Sequence, residues 1–519
     1  MSEKCYAAYV ASEDETLYTA VMLPDGSGTF PVIIQRNPYV ENTESMTDEE
    51  ALQLYVVENR RFLDAGYGVV LQHCRGTGKS TGAFLPFVHE QADGLSLQEW
   101  IRRQPFYRGE LYLYGGSYTA AVHLATAPFA DDIKGAALFA FDQERYGVFY
   151  RNGILNTGLC GEWYTGMYRK RDRIVKSSGP DSFRTLPLSA YTKTVFGEEE
   201  AVFDEILKHP RADDPFWNTL WGGSDSRHAL DHAGIPILMA AGFFDVFYQG
   251  MADMWKDMDE KTRRMSSYIV TPYDHSGGSG WQPVQFADGK LDEHFTNVVG
   301  MWFDQIRGMG DPPVESGKVT YYSMFENKWK CDDYVPGKNR LEIPLGKEEV
   351  HYVYNPFDPS RFRGGLSSGF SGTAFQAPPG EQYGIQTFYS DAFLEDQYLK
   401  GRIGAELTVK SDREDTCFYM RLSLAKEEGD FGLRDDIHSL SEFAPDYAPG
   451  EEVVIRFTFD DLALPLKKGE RLRIDVSSSA YPFFVPHTNK RGLYSVQSEA
   501  FIAHNTLVCG KSKVTLPII

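Results

Sequence analysis

The chain has 519 residues, 42% of them hydrophobic, which is too long for one core and fits about three domains. Its 52 Lys and Arg face 73 Asp and Glu, a net −21 spread along the chain, so the surface repels nucleic-acid phosphates and anionic membranes and excludes both as partners. No apolar run approaches the ~18 residues of a membrane helix, no signal-like segment opens the chain, and six scattered cysteines form no C-x-x-C pair, so a cytoplasmic protein with free thiols, no metal site and no disulfide framework is expected.

Residues 17–23 (LYTAVML) and 31–35 (PVIIQ) read as strands joined by a Gly-rich turn. Apolar spacing predicts a helix over 48–65 with Gly66 as its stop, and 68–72 (GVVLQ) is a buried strand. The loop that follows, Arg75-Gly76-Thr77-Gly78-Lys79-Ser80-Thr81-Gly82, contains the Gly-Lys-Ser of a phosphate-binding loop. That motif requires glycine where His73 stands, and a helix directly after Ser80, which 81–86 (TGAFLP) cannot start cleanly. A conformationally special loop is the better account.

A helix over 93–103 leads into the organising stretch, Leu111-Tyr112-Leu113-Tyr114-Gly115-Gly116-Ser117-Tyr118. A short apolar strand, two glycines, a serine and an alanine-rich helical run describe a nucleophile elbow. At such an apex the serine Oγ is exposed, and the next backbone N–H, that of Tyr118, lies where an oxyanion is stabilised. A strict G-x-S-x-G would carry glycine at 119, where this chain has Thr119.

Residues 135–140 read as another buried strand. From 141 to 235 the texture becomes aromatic and charged, with helical stretches over 162–176 and 198–208 and no strand alternation, which predicts an all-helical cap. Strands resume at 236–241 (PILMAA) and 267–271 (SYIVT), a helix follows over 291–306, and 308–313 reads as a linker. Beyond it, period-2 segments recur at 319–324, 350–354, 405–409, 417–424, 453–459 and 471–476, the pattern of a β-sandwich. The expected architecture is thus α/β: a hydrolase domain from 1–140 and 236–312, a helical cap at 141–235, and a jelly-roll β-sandwich from 313 to 519.

A hydrolase with an elbow serine takes its partners in the order Ser, Asp or Glu, then His, on loops at the ends of later strands. Strand 236–241 ends in Gly242-Phe243-Phe244-Asp245, and strand 267–271 in Pro272-Tyr273-Asp274-His275. Asp245 and His275 are therefore the candidate acid and base for Ser117, with Asp274 the rival acid.

These segments resemble the cocaine esterase / X-prolyl dipeptidyl peptidase family of serine hydrolases (CocE/NonD type), which includes the α-amino acid ester hydrolases and glutaryl-cephalosporin acylases. Gly115 to Ala120 resembles its G-x-S-Y-x-G, with Ala120 for the last glycine; Arg75 to Gly82 resembles R-G-x-G-x-S-x-G; Gly242-Phe243-Phe244-Asp245 resembles G-W-Y-D. Tyr352 to Pro359 with Gly364-Gly365, and Arg471 to Ser479 with Tyr481-Pro482, extend the likeness past the hydrolase domain. The resemblance implies an α/β-hydrolase with cap and jelly-roll, acyl transfer through Ser117, and no cofactor. It further implies that Tyr39, in Arg36-Asn37-Pro38-Tyr39, donates its hydroxyl to the oxyanion beside Tyr118, and that Phe247 lines an acyl pocket for aromatic or bulky apolar groups.

The expected substrate is a small-molecule ester or amide, and the chain is compatible with a homodimer. Peptidase relatives hold a substrate amine with carboxylates, for which the cap offers Glu162, Asp213 and Asp214; the apparent lack of room for an N-terminal helical domain favours an esterase or acylase. An X-Pro dipeptidyl aminopeptidase or α-amino acid ester hydrolase is the alternative, and a non-catalytic carbohydrate-binding protein the outside one.

Overall fold

The computed structural model describes residues 4–169, 180–221, 228–278, 286–366 and 368–519. Ten strands form one mixed sheet: β1 (Tyr6–Ser12), β2 (Glu15–Met22), β3 (Phe30–Asn37), β4 (Gly68–His73), β5 (Tyr107–Gly116), β6 (Ile133–Phe139), β7 (Ile237–Gly242), β8 (Ser267–Thr271), β9 (Val319–Ser323) and β10 (Lys328–Asp332). Their spatial order is 1-2-4-3-5-6-7-8-9-10. Strands β3 to β9 run parallel, while β1, β2 and β10 pair antiparallel at the edges. β4, β7 and β8 are buried at every residue, as strands covered by helices on both faces must be.

The helices that matter for the site are α1 (Asp48–Glu58), α2 (Glu90–Arg102), α3 (Tyr118–Leu124), α4 (Tyr248–Asp257) and α5 (Val298–Ile306). α1 starts at a capping box in which Thr47 and Glu50 satisfy each other's backbone amides. The helix expected over 48–65 is broken at Asn59, and the one over 291–306 is broken at Asn297, which adopts a left-handed φ of 51°.

The alternation at 319–324 and the boundary at 313 place β9, and with it the residues of β10, in the sandwich. They belong to the hydrolase sheet instead: β9 pairs parallel with β8, and β10 antiparallel with β9. Alternation reveals a strand but not the sheet that receives it. The sandwich proper begins near Asn339 and packs a six-stranded antiparallel sheet against a four-stranded one. Five of its strands, including Gly429–Ser439 and Lys513–Ile518, were not read from the sequence.

The cap holds short helices at Glu162–Arg169, Tyr191–Val195 and Ala201–Ile206, but it is not all-helical. Tyr150–Arg151 pairs with Ile154–Leu155 in a small hairpin. That hairpin binds the sandwich: Arg151 Nε lies 2.9 Å from Asp436, and its Nη2 3.1 Å from Asp460. The expected helix over 162–176 lies outside the described residues beyond Arg169.

Candidate active site

β5 runs into α3 through Ser117, whose backbone has φ 56° and ψ −131°, a conformation costly for any residue with a Cβ. The turn closes because Gly115 has no side chain; a Cβ there would lie 2.1 Å from the Thr119 carbonyl oxygen. Thr119 fills the position where glycine was expected, and its hydroxyl accepts from the Gly116 amide at 2.8 Å. The departure from the strict motif therefore serves to staple the turn.

Asp245 follows β7 and His275 follows β8, so both reach the same carboxyl edge of the sheet as Ser117. His275 Nε2 is 3.0 Å from Ser117 Oγ, and its Nδ1 is 3.0 Å from Asp245 Oδ1. The Asp245 side chain is 1% exposed and His275 15%, so the carboxylate is sealed while the imidazole keeps some access to solvent. Asp245 Oδ1 also accepts the Phe247 amide at 2.9 Å, which fixes its rotamer. Burial opposes charge on His275, but the Asp245 carboxylate outweighs it and holds the imidazole above its ordinary value. Asp274 instead accepts the amide and hydroxyl of Ser276, closing its own loop.

The two loops approach closely at Gly242, where a Cβ would lie 1.9 Å from the Tyr273 carbonyl oxygen. Tyr39 is set by Asn37, whose side chain accepts the Tyr39 amide at 2.8 Å. The Tyr39 hydroxyl receives the Trp163 indole N–H at 3.1 Å and lies in hydrogen-bonding contact with the Ser117 side chain and the Tyr118 amide. Burial raises its pKa, so it stays protonated.

A buried network joins the segments that carry Tyr39 and Tyr118. Glu90, the first residue of α2, accepts the Tyr118 hydroxyl at 2.6 Å and the Arg36 guanidinium at 2.6 Å. The Tyr118 hydroxyl in turn accepts the Phe87 amide at 2.8 Å. Arg75 of the Gly-rich loop anchors Asp93 at 2.6 Å, while Lys79 pairs with Asp48 at 3.1 Å and Ser80 Oγ donates to the His73 carbonyl at 2.9 Å. The groups that a phosphate would need are thus engaged in holding the loop.

The pocket beside Ser117 is apolar on most sides, lined by Phe87, Phe141, Val148, Leu159, Trp163, Phe247 and Phe370. Phe247 and Phe370 flank the His275 ring at 5.2 Å each. Trp163 and Phe370 escape the sequence reading because neither lies near a strand end of the hydrolase sheet; the cap delivers the first, and a long connection between the sandwich strands Glu349–Tyr354 and Gln386–Tyr389 the second. Two polar groups also line the pocket, Asp142 and Arg145. Burial pushes Asp142 up to about 7 despite Arg145, and burial lowers Arg145 to about 9. Asp213 and Asp214 are absent from the lining: Asp213 pairs with Arg211 at 2.7 Å and Asp214 with His209 at 2.7 Å. The side chain of Glu162 lies outside the described residues. Among the described residues, no group of three His, Cys, Asp or Glu is arranged to hold a metal ion, and no helix is long and apolar enough to cross a membrane.

A mostly parallel sheet of this order, with a strained serine hydrogen-bonded to a histidine at its carboxyl edge, defines a hydrolase of the serine type on an α/β-hydrolase fold. The chain belongs to the X-Pro dipeptidyl-peptidase (S15) family, whose model matches residues 14–277, just over half of the chain; the family's C-terminal non-catalytic domain matches residues 374–515. It is similar to cocaine esterase of Rhodococcus sp. (strain MB1 Bresler), with 24% identity across 96% of this chain and 95% of that one. Among solved structures, an aminopeptidase from a marine sediment Thaumarchaeota archaeon superposes with a TM-score of 0.83 at 16% identity, covering 99% of this chain and 96% of that one. An α-amino acid ester hydrolase superposes with a TM-score of 0.81 at 16% identity over the same shares.

Proposed function

We propose that the protein hydrolyses small-molecule esters or amides through an acyl-enzyme on Ser117. The observation that carries this reading is the pair of 3.0 Å contacts running from Ser117 through His275 to Asp245. Ser117 Oγ attacks the carbonyl while His275 Nε2 takes its proton, and Asp245 holds the proton on Nδ1 and offsets the charge of the imidazolium. The Tyr118 amide and the Tyr39 hydroxyl receive the oxyanion. His275 then protonates the leaving group, and water enters by the same route to release the acid. Removing Ser117 should cost on the order of 10⁶ in kcat.

The aromatic pocket supports an apolar acyl group, with Phe247 against the histidine. The α-amino acid ester or X-Pro aminopeptidase reading has one observation in its favour, the carboxyl of Asp142 in the pocket. With its value near 7 and Arg145 beside it, that carboxyl is a weak anchor for a substrate ammonium at neutral pH. Neutral acyl esters are therefore the favoured substrates. A panel of nitrophenyl acyl esters, aminoacyl esters and Gly-Pro-nitroanilide, run with wild type, Ser117→Ala and Asp142→Asn, tests both readings. Neutral esters should be turned over fastest, lost in Ser117→Ala and retained in Asp142→Asn. A preference for the aminoacyl substrates, with their KM raised in Asp142→Asn, would establish the amine-binding reading.

A further inference from the structure

One contact of the site crosses from the cap to the hydrolase sheet at the oxyanion position. Trp163, on the cap helix Glu162–Arg169, donates its indole N–H to the hydroxyl oxygen of Tyr39, 124 residues earlier in the chain, at 3.1 Å. A phenol has one proton to give and two lone pairs to fill, while an indole N–H and a backbone amide can only donate. The Trp163 and Tyr118 N–H groups that meet the Tyr39 oxygen therefore take its lone pairs, and the phenolic proton is left to point toward Ser117. When a substrate oxyanion takes the Tyr118 amide, Trp163 is the donor that stays on the phenol.

The indole is held in that direction by an aromatic stack. It lies face to face with Phe87 at 5.9 Å and 22° and with Tyr118 at 5.9 Å and 25°, and edge-on to Tyr164 at 6.2 Å. Phe87 and Tyr118 stack on each other at 4.7 Å, and the Arg145 guanidinium covers Phe87 at 4.3 Å from the ring centre. Phe87 itself holds a left-handed φ of 68°, costly for a bulky side chain, and its amide donates to the Tyr118 hydroxyl at 2.8 Å. Strain kept beside the elbow, on the ring that backs the indole, is the mark of a preorganised donor.

We propose that Trp163 is a positioning residue for the reaction: its indole N–H fixes the rotor of the Tyr39 hydroxyl, directs that proton to the oxyanion and strengthens its donation. The inference rests on Tyr39 serving as an oxyanion donor. It also makes the oxyanion site conditional on the cap, since the group that sets Tyr39 belongs to the cap and not to the sheet that carries Tyr39 and Ser117.

The test is a double-mutant cycle in the full-length enzyme, read as nitrophenyl ester hydrolysis normalised by fluorophosphonate titration. Trp163→Phe keeps a ring and removes the N–H. Benzothienylalanine in place of Trp163 removes the N–H but keeps the shape and the stacking, and it decides the matter if the phenylalanine variant folds poorly. Each should lower kcat about threefold to tenfold, the contribution of one hydrogen bond, with KM nearly unchanged in the isosteric variant. In the Tyr39→Phe background, with no hydroxyl left to orient, the same replacements should change kcat by less than about twofold. Wild-type kcat in the isosteric variant, or equal losses with and without the Tyr39 hydroxyl, would overturn the assignment while leaving Tyr39 as a donor. A fully active Tyr39→Phe would overturn the oxyanion reading and this inference with it, a result distinct from either of those.

Discussion

Replacing Tyr39 by phenylalanine removes a single oxygen from the most crowded polar position of the site. That oxygen receives the Trp163 indole at 3.1 Å and is in contact with the Tyr118 amide and the Ser117 side chain. Burial raises the pKa of the phenol, so it keeps the proton that the proposed mechanism directs to a developing oxyanion. The loss of one such donor costs about 2.7–4 kcal/mol of transition-state stabilisation, a fall of ~10²–10³ in kcat. Stability should change far less, by roughly 1 kcal/mol for the unmet Trp163 donor. Because the donor acts on the transition state and not on bound ester, KM should hold nearly constant. The assay is steady-state hydrolysis of a nitrophenyl ester, normalised by fluorophosphonate titration of active sites so that unfolded protein is not counted. Wild-type kcat in a fully titratable Tyr39→Phe enzyme would refute the side-chain donor and leave the Tyr118 amide as the only one of the pair.

His275 is held above its ordinary 6.5 by Asp245 against the opposing effect of burial, so activity should rise with pH through a value above 6.5, and Asp245→Asn should shift that limb downward while lowering kcat by ~10⁴. Glu90→Gln breaks the buried bridge between Arg36 and Tyr118 and should cost about 3–5 kcal/mol in denaturant unfolding; the milder Tyr118→Phe should lower kcat with KM unchanged, and a fully active Tyr118→Phe would show that Glu90 does not position the oxyanion donors. In the sandwich, burial disfavours charge on His438, but Asp436 and Glu442 raise it to about 9. Its folded value exceeds its unfolded one, so its stabilisation is complete below about 6.5 and is lost as pH rises through about 9; the fall in Tm over that interval should be smaller in His438→Phe. Gly115→Ala, with its Cβ 2.1 Å from the Thr119 carbonyl oxygen, should disrupt the elbow and abolish both folding yield and probe labelling.

Local pattern carried the hydrolase half far. Ser117, Asp245 and His275 were legible because each stands at the end of a short apolar strand, and strand ends of a parallel sheet gather on one edge. Alternation exposes some sandwich strands and β9, but it cannot say that β9 extends the hydrolase sheet with β10 beside it, since pairing is decided by which edge is open and not by the strand itself. The cap was misread as wholly helical because a hairpin of two-residue strands has no periodicity to detect.

The sequence by itself determined the strained turn, the order of Ser117, Asp245 and His275 at successive strand ends, and the acidic surface, because each depends on residue type or on neighbours along the chain. Only the tertiary structure decided that Asp245 and not Asp274 meets the histidine, that Trp163 and Phe370 close the pocket, and that Glu90 ties Arg36 to Tyr118. Those outcomes depend on distances between segments remote in the chain, which packing sets and local periodicity does not encode.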